Sequence, residues 1–154
     1  MNNVKQINDS ISVAMGQPTP EDLRQAAEEG YKSVLNLRAL QEEGALSDEQ
    51  QHAEAAGLQY VNLPVRPDAL SQEQADRIME QIDQLPKPLL THCKSGLRSG
   101  AMALMYVATR EGLSAEAAME KGKQMGFDCD ASPQMKEFFK QYVSTRSSGS
   151  STSQ

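Results

Sequence analysis

The sequence contains few of the residue types on which disulfide-stapled proteins and metalloproteins depend. It has two cysteines, two histidines and no tryptophan in 154 residues. The two cysteines, Cys93 and Cys129, are far apart, so they do not form a disulfide framework. The cysteines and histidines together show no spacing typical of a metal site. The sequence therefore implies neither a metal ion nor an organic cofactor.

The sequence also lacks an excess of basic residues and lacks long apolar runs. The net charge is -6 and the sequence pI is about 4.9, which argues against nucleic acid or an anionic membrane as the main partner. No apolar run approaches the roughly eighteen residues of a membrane-spanning helix, and the first residues do not resemble a secretory signal. We therefore expect a cytoplasmic protein that still can bind an anion at one local site.

Strand-like and helix-like segments alternate along the chain, and the length suits one domain. The predicted strands cover residues 11–15, 32–37, 58–65 and 88–92. The predicted helices begin near Thr19, Ser47, Ser71, Ser114 and Ser132, with a further helix after Arg98. This order predicts an α/β fold with right-handed crossovers, in which helices cover both faces of a central, mostly parallel sheet of four to five strands. Residues 144–154 are mostly Ser, Thr and Gly, and we predict a disordered tail there.

The segment from His92 to Ser99 joins a predicted buried strand to the start of a helix. Ligands of parallel α/β sheets bind at the carboxyl ends of strands, and a helix N-terminus presents N–H groups to anions. The partial positive charge of these N–H groups should also hold Cys93 as a thiolate at neutral pH. Gly96 allows the loop to curl around an anion, and Arg98 can add a forked pair of hydrogen bonds. The segment therefore predicts a nucleophile in an anion-binding loop.

Each residue of this segment receives a predicted role. Cys93 is the nucleophile, Arg98 binds the anion, and Ser99 donates a hydrogen bond to the sulfur and eases its departure from a covalent intermediate. His92 orients the loop near the Cys93 backbone, since a thiolate made by the helix needs no general base. The remaining residues contribute to substrate binding: Lys94, Ser95, Gly96 and Leu97. The alternative, an inert buried cysteine beside a surface arginine, is disfavoured because strand, glycine, arginine and helix all fall where an anion site requires them.

This segment resembles the signature of the protein tyrosine and dual-specificity phosphatases, which is His-Cys, a glycine, an arginine, and then Ser or Thr. The resemblance extends over most of residues 11–128. It includes Gly16-Gln17-Pro18-Thr19, the stretch from Gly30 to Arg38, the stretch from Tyr60 to Val65, and Leu113-Ser114-Ala115-Glu116-Ala117-Ala118. Within that superfamily the sequence is most similar to the bacterial group first named for a β-lactamase-hydrolase-like protein. The resemblance implies that residues 1–143 form a phosphatase-like catalytic domain with a dual-specificity-phosphatase-like fold. It also implies a phosphorylated or other anionic substrate, either a phosphoprotein or a small molecule.

The loop differs from the phosphatase pattern in its length. Four residues separate Cys93 from Arg98, whereas the phosphatases of this superfamily have five. Four is the interval of rhodanese-type sulfurtransferases, which would carry a persulfide on Cys93. A catalytically inactive module that only binds anions is a third possibility. The residues of the loop leave all three functions open.

A candidate general acid follows the third predicted strand. Arg66-Pro67-Asp68 resembles the Trp-Pro-Asp type of loop that supplies a proton in the phosphatases. Phosphoryl transfer to a thiolate requires a proton for the leaving oxygen, whereas sulfur transfer from thiosulfate does not. A simple turn after Pro67 explains Asp68 equally well. Asp68 is thus a candidate catalytic acid that favours the phosphatase interpretation.

Three other residues are candidates for a role in the site. Arg38, at the end of the second predicted strand, shares a sheet edge with Cys93 and can contact a second anionic group of the substrate. Pairing with Glu42 or Glu43 is favoured, as for an ordinary surface charge. His52 is predicted to be exposed. Cys129 is predicted to be an ordinary residue rather than a thiol that resolves oxidised Cys93.

Overall fold

The computed structural model describes residues 4–39, 45, 48–66, 69–93, 97–127 and 133–152, the last six as backbone only. These residues form five strands and six helices. The strands are β1 (Val4–Gln6), β2 (Ile11–Ala14), β3 (Ser33–Asn36), β4 (Gln59–Asn62) and β5 (Leu89–His92). The helices are α1 (Pro20–Glu28), α2 (Glu49–Ala55), α3 (Gln72–Gln84), α4 (Leu97–Glu111), α5 (Ala115–Met125) and α6 (Pro133–Thr152). None of the described helices is both long and apolar enough to cross a membrane.

The strands form one sheet in the order β1-β2-β5-β3-β4. Only the edge strand β1 is antiparallel to its neighbour within this sheet, and the remaining neighbours are parallel. Strand β5 is central, with Thr91 opposite Val13 of β2 on one side and Leu35 of β3 on the other. The predicted α/β fold with a mostly parallel sheet is therefore confirmed.

Both faces of the sheet are covered because successive strand residues point in opposite directions. Val34 packs in a cluster with Leu23 of α1 and Ala53 of α2. Its neighbour Leu35 belongs to the main core, which also contains Ile78 of α3 and side chains of α4, α5 and α6. Helices α1 and α2 thus lie on one face of the sheet, and α3 to α6 lie on the other.

Local capping signals place three of the helices where the sequence predicted them. Thr19 accepts a hydrogen bond from the backbone of Asp22, and the Asp22 carboxylate accepts one in return from the Thr19 backbone. Ser71 and Ser114 cap α3 and α5 by accepting a bond from the backbone three residues on. Each side-chain oxygen satisfies a backbone N–H that has no partner within the first turn of its helix.

Two other helix predictions differ from the structure. Helix α2 has Asp48 as its N-cap, with no side-chain capping bond, and the predicted cap Ser47 lies outside the described residues. Helix α6 continues to Thr152, beyond the predicted boundary at residue 143. Within this extension Arg146 donates to both carboxylate oxygens of Asp76 on α3, at 2.9 and 2.8 Å. The predicted tail therefore includes a residue with a specific partner on another helix.

Strand β1 was not predicted at all. It has three residues, Val4, Lys5 and Gln6, of which the last two are exposed. Its backbone pairs with β2, where Lys5 lies opposite Val13. So short and polar a segment has no alternation of apolar residues, and its strand conformation comes from the neighbouring β2 rather than from its own sequence.

Helix α4 packs very closely against the chain that follows α5. A Cβ atom placed on Gly100 would lie 2.5 Å from Cδ1 and 2.7 Å from Cγ of Phe127. The Phe127 ring is buried in the main core, so it has little room to move away. Gly100 is therefore required by the close approach of the two segments.

We predict that Gly100→Ala lowers the free energy of unfolding by about 1–3 kcal/mol, because an overpacked core must shift. The loss should appear although alanine is the better helix former by about 1 kcal/mol. Urea denaturation followed by circular dichroism measures the change. Gly16→Ala is the control, since a Cβ atom placed on Gly16 would have no neighbouring atom within 4 Å. A Gly100→Ala protein as stable as the Gly16→Ala protein would contradict the packing argument.

Candidate active site

Cys93 directly follows β5, at the carboxyl end of the central strand. Its sulfur accepts two hydrogen bonds from Ser99, one from the backbone N–H and one from the hydroxyl, each with a donor-to-sulfur distance of 3.4 Å. Ser99 is the third residue of α4, and both residues are buried, with exposed fractions of 1% and 0%. The strand end and the first turn of the helix thus meet at the sulfur.

These two contacts place hydrogen-bond donors against the sulfur. A hydrogen bond to an ionised acceptor is stronger than one between neutral groups. The N–H groups in the first turn of a helix have no partner within it, and the helix dipole adds partial positive charge there. The thiolate is the nucleophilic form of cysteine, so this geometry is compatible with the role predicted for Cys93.

Arg98 is the second residue of α4 and is half-buried, as is Leu97 before it. Its Nη1 donates to the carbonyl oxygen of Val65 at 2.9 Å. The backbone N–H of Val65 in turn donates to Leu37, just after β3. A guanidinium has five N–H donors in a fixed fork, so the contact with Val65 is compatible with binding an oxyanion.

His92, the residue before Cys93, forms a buried pair with Glu49. Both side chains are fully buried, and Nε2 of His92 lies 2.5 Å from Oε2 of Glu49. The other ring nitrogen, Nδ1, lies 3.5 Å from the carbonyl oxygen of Cys93. The His92 ring therefore contacts the Glu49 carboxylate through Nε2 and faces the backbone carbonyl of Cys93 with Nδ1.

Glu49 is surrounded by side chains that donate hydrogen bonds. Its Oε1 accepts from Nε2 of Gln17 at 2.7 Å and lies 3.5 Å from Nδ2 of Asn36. The same Asn36 nitrogen also donates to the hydroxyl of Tyr60 at 2.9 Å. Burial raises the pKa of Tyr60 to about 12, and the Glu49 carboxylate adds to this effect, while the Asn36 bond opposes it. Tyr60 is therefore uncharged at neutral pH.

Arg38 is buried, with an exposed fraction of 2%, although the sequence suggested a surface charge. Its Nη1 donates to Oε1 of Gln17 at 2.9 Å. Its backbone carbonyl accepts from Asn62, and its N–H donates to Asn36. Gln17 thus links Arg38 to Glu49, and the role of Arg38 in substrate binding stays a prediction.

Several predicted site residues lie outside the described residues. They are Asp68 with Pro67 before it, the loop residues Lys94, Ser95 and Gly96, the proposed partners Glu42 and Glu43, and Cys129. Among the described parts of the chain, the structure brings Ser99 against the Cys93 sulfur and His92 near the Cys93 carbonyl, whereas the Arg98 side chain donates to the Val65 carbonyl. His52 lies apart on α2, half-exposed and 3.0 Å from Asp48. Within the described ranges, no three His, Cys, Asp or Glu side chains converge where a metal ion could bind.

The sequence analysis did not single out Glu49 or Gln17 as site residues. Glu49 stands in the first turn of α2, where an acid is ordinarily a solvated group that favours the helix N-terminus. Gln17 stands in the loop before α1, within the segment that carried the family resemblance. The sequence did contain a topological signal. Gln17 follows β2 and Glu49 follows β3, and the carboxyl ends of these strands meet at the sheet edge that holds Cys93.

The comparisons with known proteins agree with this geometry. The model for the phosphatase-like domain of Beta-lactamase hydrolase-like proteins matches residues 3–109. The Beta-lactamase hydrolase-like protein of Agrobacterium fabrum is 27% identical over 125 residues, which are 79% of this chain and 29% of that protein. Its counterpart from Xylella fastidiosa is 30% identical over 123 residues, 78% of this chain and 27% of that protein. The chain therefore spans less than a third of the length of these curated relatives.

Solved structures with the same fold are phosphatases of the protein-tyrosine-phosphatase type. TpbA of P. aeruginosa has a TM-score of 0.79 and 19% identity, over 97% of this chain and 91% of that one. Tk-PTP in its active form has a TM-score of 0.77 and 22% identity, over 94% and 98% of the two chains. At these identities the likeness establishes the fold alone. Because the family model covers most of its length, the chain belongs to the phosphatase-like domain family of the Beta-lactamase hydrolase-like proteins.

Proposed function

We propose that this chain is a cysteine-dependent phosphatase that hydrolyses phosphomonoesters through a thiophosphate intermediate on Cys93. The observation that carries the proposal is the double hydrogen bond from Ser99 to the Cys93 sulfur, at the carboxyl end of the central strand. The family match and the phosphatase fold support the same chemistry.

The first step is transfer of the phosphoryl group to sulfur. The thiolate of Cys93 attacks phosphorus, the S–P bond forms, and the bond from phosphorus to the leaving oxygen breaks. Arg98 and the N–H groups of the loop bind the three phosphoryl oxygens, whose charge is spread in the transition state. Asp68 gives its proton to the leaving oxygen, so that an alcohol or phenol departs.

The second step is hydrolysis of the thiophosphate. A water molecule attacks phosphorus, and the carboxylate of Asp68 takes one proton from that water. The S–P bond breaks, and inorganic phosphate and the thiolate of Cys93 are released. The hydroxyl and N–H of Ser99 stabilise the negative charge that returns to the sulfur, which makes it a better leaving group.

The substrate class is an anionic phosphate ester. TpbA has been solved in complex with pTyr, at a TM-score of 0.72, and PTPMT1 in complex with PI(5)P, at a TM-score of 0.75. These ligands differ in everything except the phosphate monoester. By analogy, we expect this chain to bind the phosphate through its loop and Arg98.

The central test measures phosphate release from an aryl phosphate. Cys93→Ser should lower kcat/KM by about four orders of magnitude, as expected when a covalent nucleophile is removed. Cys129→Ser is the matched control, and it should keep full activity. Turnover by the Cys93→Ser protein would eliminate the thiophosphate intermediate.

The same preparation separates the other two functions. A wild-type protein that releases no phosphate, but gains the mass of one sulfur on Cys93 after thiosulfate treatment, would be a sulfurtransferase with the loop interval of a rhodanese. Tight binding of sulfate or phosphate with neither reaction would mark an inactive anion-binding module.

The general acid is tested by Asp68→Asn. We expect kcat to fall by about 10²–10⁴-fold for phenyl phosphate, because its leaving oxygen needs a proton. The loss should be much smaller for p-nitrophenyl phosphate, whose leaving group is stable as an anion. Asp9→Asn, at an exposed position, serves as control. An equal loss for both substrates would assign Asp68 a role other than proton donation.

The role of Ser99 is tested by Ser99→Ala. The variant loses the hydroxyl donor to sulfur, so breakdown of the thiophosphate should slow more than its formation. Rapid mixing with p-nitrophenyl phosphate should then show a burst of nitrophenol close to one equivalent, followed by slower turnover. Ser114→Ala, which changes only a helix cap of α5, should show the kinetics of the wild type. A uniform fall without a burst would disagree with this role.

A further inference from the structure

The pair formed by Glu49 and His92 has no task in the reaction steps above, yet it lies beneath the nucleophile and is fully buried. We propose that Glu49 is a positioning residue: its carboxylate fixes the His92 ring so that an N–H at Nδ1 faces the carbonyl of Cys93. The proposal concerns the site of the proposed phosphatase. Only its expected effects on turnover rest on that function.

The first argument concerns the Glu49 carboxylate, which is itself held in place. Oε1 accepts from the side-chain amide of Gln17 at 2.7 Å, and Oε2 lies 2.5 Å from Nε2 of His92. A buried carboxylate is costly unless it is paired and hydrogen-bonded. Rotation away from His92 would break both contacts, so the acid is a fixed anchor for the ring.

The second argument concerns the protons. The carbonyl oxygen of Cys93 can only accept, and it lies 3.5 Å from Nδ1, so a favourable contact there requires a hydrogen on Nδ1. On the opposite edge of the ring, one proton lies in the short contact between Nε2 of His92 and Oε2 of Glu49. The pair is therefore neutral overall, either as imidazolium and carboxylate or as imidazole and carboxylic acid. In both cases Nδ1 keeps its hydrogen, because the partner of one ring nitrogen sets the state of the other.

The third argument concerns the loop. The peptide group is planar, so a contact that holds the Cys93 carbonyl also holds the N–H that follows it in the chain. That N–H belongs to the first residue of the segment that the sequence predicts to bind the anion. Small errors in the position of such groups lower the rate strongly, since transition-state stabilisation depends on their geometry. Glu49 would thus act on the reaction through His92, without contact with the substrate.

The surroundings add no competing charge next to the pair among the described residues. The residues that face Glu49 from the loop before α1 and from β3 are Gln17 and Asn36, which are uncharged amides. Tyr60 of β4 contacts Asn36, and its pKa of about 12 keeps it neutral. Arg38 is one contact further away, through Gln17.

The experiment uses ¹⁵N NMR of the imidazole in a His52→Asn background. The chain has two histidines, so this substitution leaves His92 as the single imidazole, and the contact that it removes is that of the His52 ring with Asp48. In the otherwise unchanged protein, we expect Nδ1 to carry a hydrogen. Free histidine prefers the opposite tautomer, with hydrogen on Nε2, so the result is diagnostic.

Two substitutions separate positioning from charge. In Glu49→Gln, the amide oxygen can accept from Gln17 and the NH₂ can donate to Nε2 of a neutral His92, so the hydrogen stays on Nδ1. We expect kcat/KM for an aryl phosphate within about threefold of the wild type. In Glu49→Leu the anchor is lost, Nδ1 loses its hydrogen, and we expect a fall of about 10- to 100-fold. Glu54→Gln and Glu54→Leu, at an exposed position of the same helix, are the matched controls.

Three results would overturn the proposal: Nδ1 without hydrogen in the wild type or in Glu49→Gln, a glutamine variant as impaired as the leucine variant, or a leucine variant with unchanged spectrum and turnover. If Glu49→Leu does not fold, the wild-type and glutamine spectra decide. Absence of phosphate release by the wild type would defeat the phosphatase function instead, and the nitrogen shifts would still decide the role of Glu49.

Discussion

The contact between the Cys93 sulfur and Ser99 joins the carboxyl end of β5 to the first turn of α4, and the site depends on that junction. It requires β5 to be a central parallel strand, because only then do the ends of β2 and β3 reach the same edge. It also requires α4 to begin soon after Cys93, so that the N–H of Ser99 in its first turn points at the sulfur. The geometry of the site therefore depends on the order of the strands in the sheet.

A second layer of polar groups supports this junction from below. Glu49, His92 and Asn36 are buried, and such groups destabilise a fold unless each has a partner. Here each has one: the acid binds the imidazole and Gln17, and Asn36 binds Tyr60. Networks of this kind permit few alternative arrangements, since moving one member leaves another unsatisfied. These polar groups occupy interior positions that apolar side chains could fill, and their hydrogen bonds restrict the backbone at Cys93.

The parts of the fold with local physical causes could be predicted, and the parts with tertiary causes could not. Thr19 and Ser71 cap helices through bonds within four residues of chain, so the sequence alone reveals them. The position of Cys93 at the end of a buried strand and before a helix could be predicted because strand, loop and helix follow each other directly in the sequence; its role as nucleophile stays a prediction. Glu49 was missed because its burial depends on His92, 43 positions away. Strand β1 was missed because its pairing with β2, rather than its own residues, makes it a strand.

Arg98 connects these layers to the segment expected to supply the acid. Its donation to the Val65 carbonyl joins the start of α4 to the chain that leaves β4, and Val65 is joined in turn to Leu37 after β3. Two hydrogen bonds in succession thus link the start of α4, which follows β5, to the segments that follow β4 and β3. Asp68, the proposed acid, follows Val65 by three residues in the sequence. The side chain proposed to bind the anion therefore also anchors the chain just before the proposed acid.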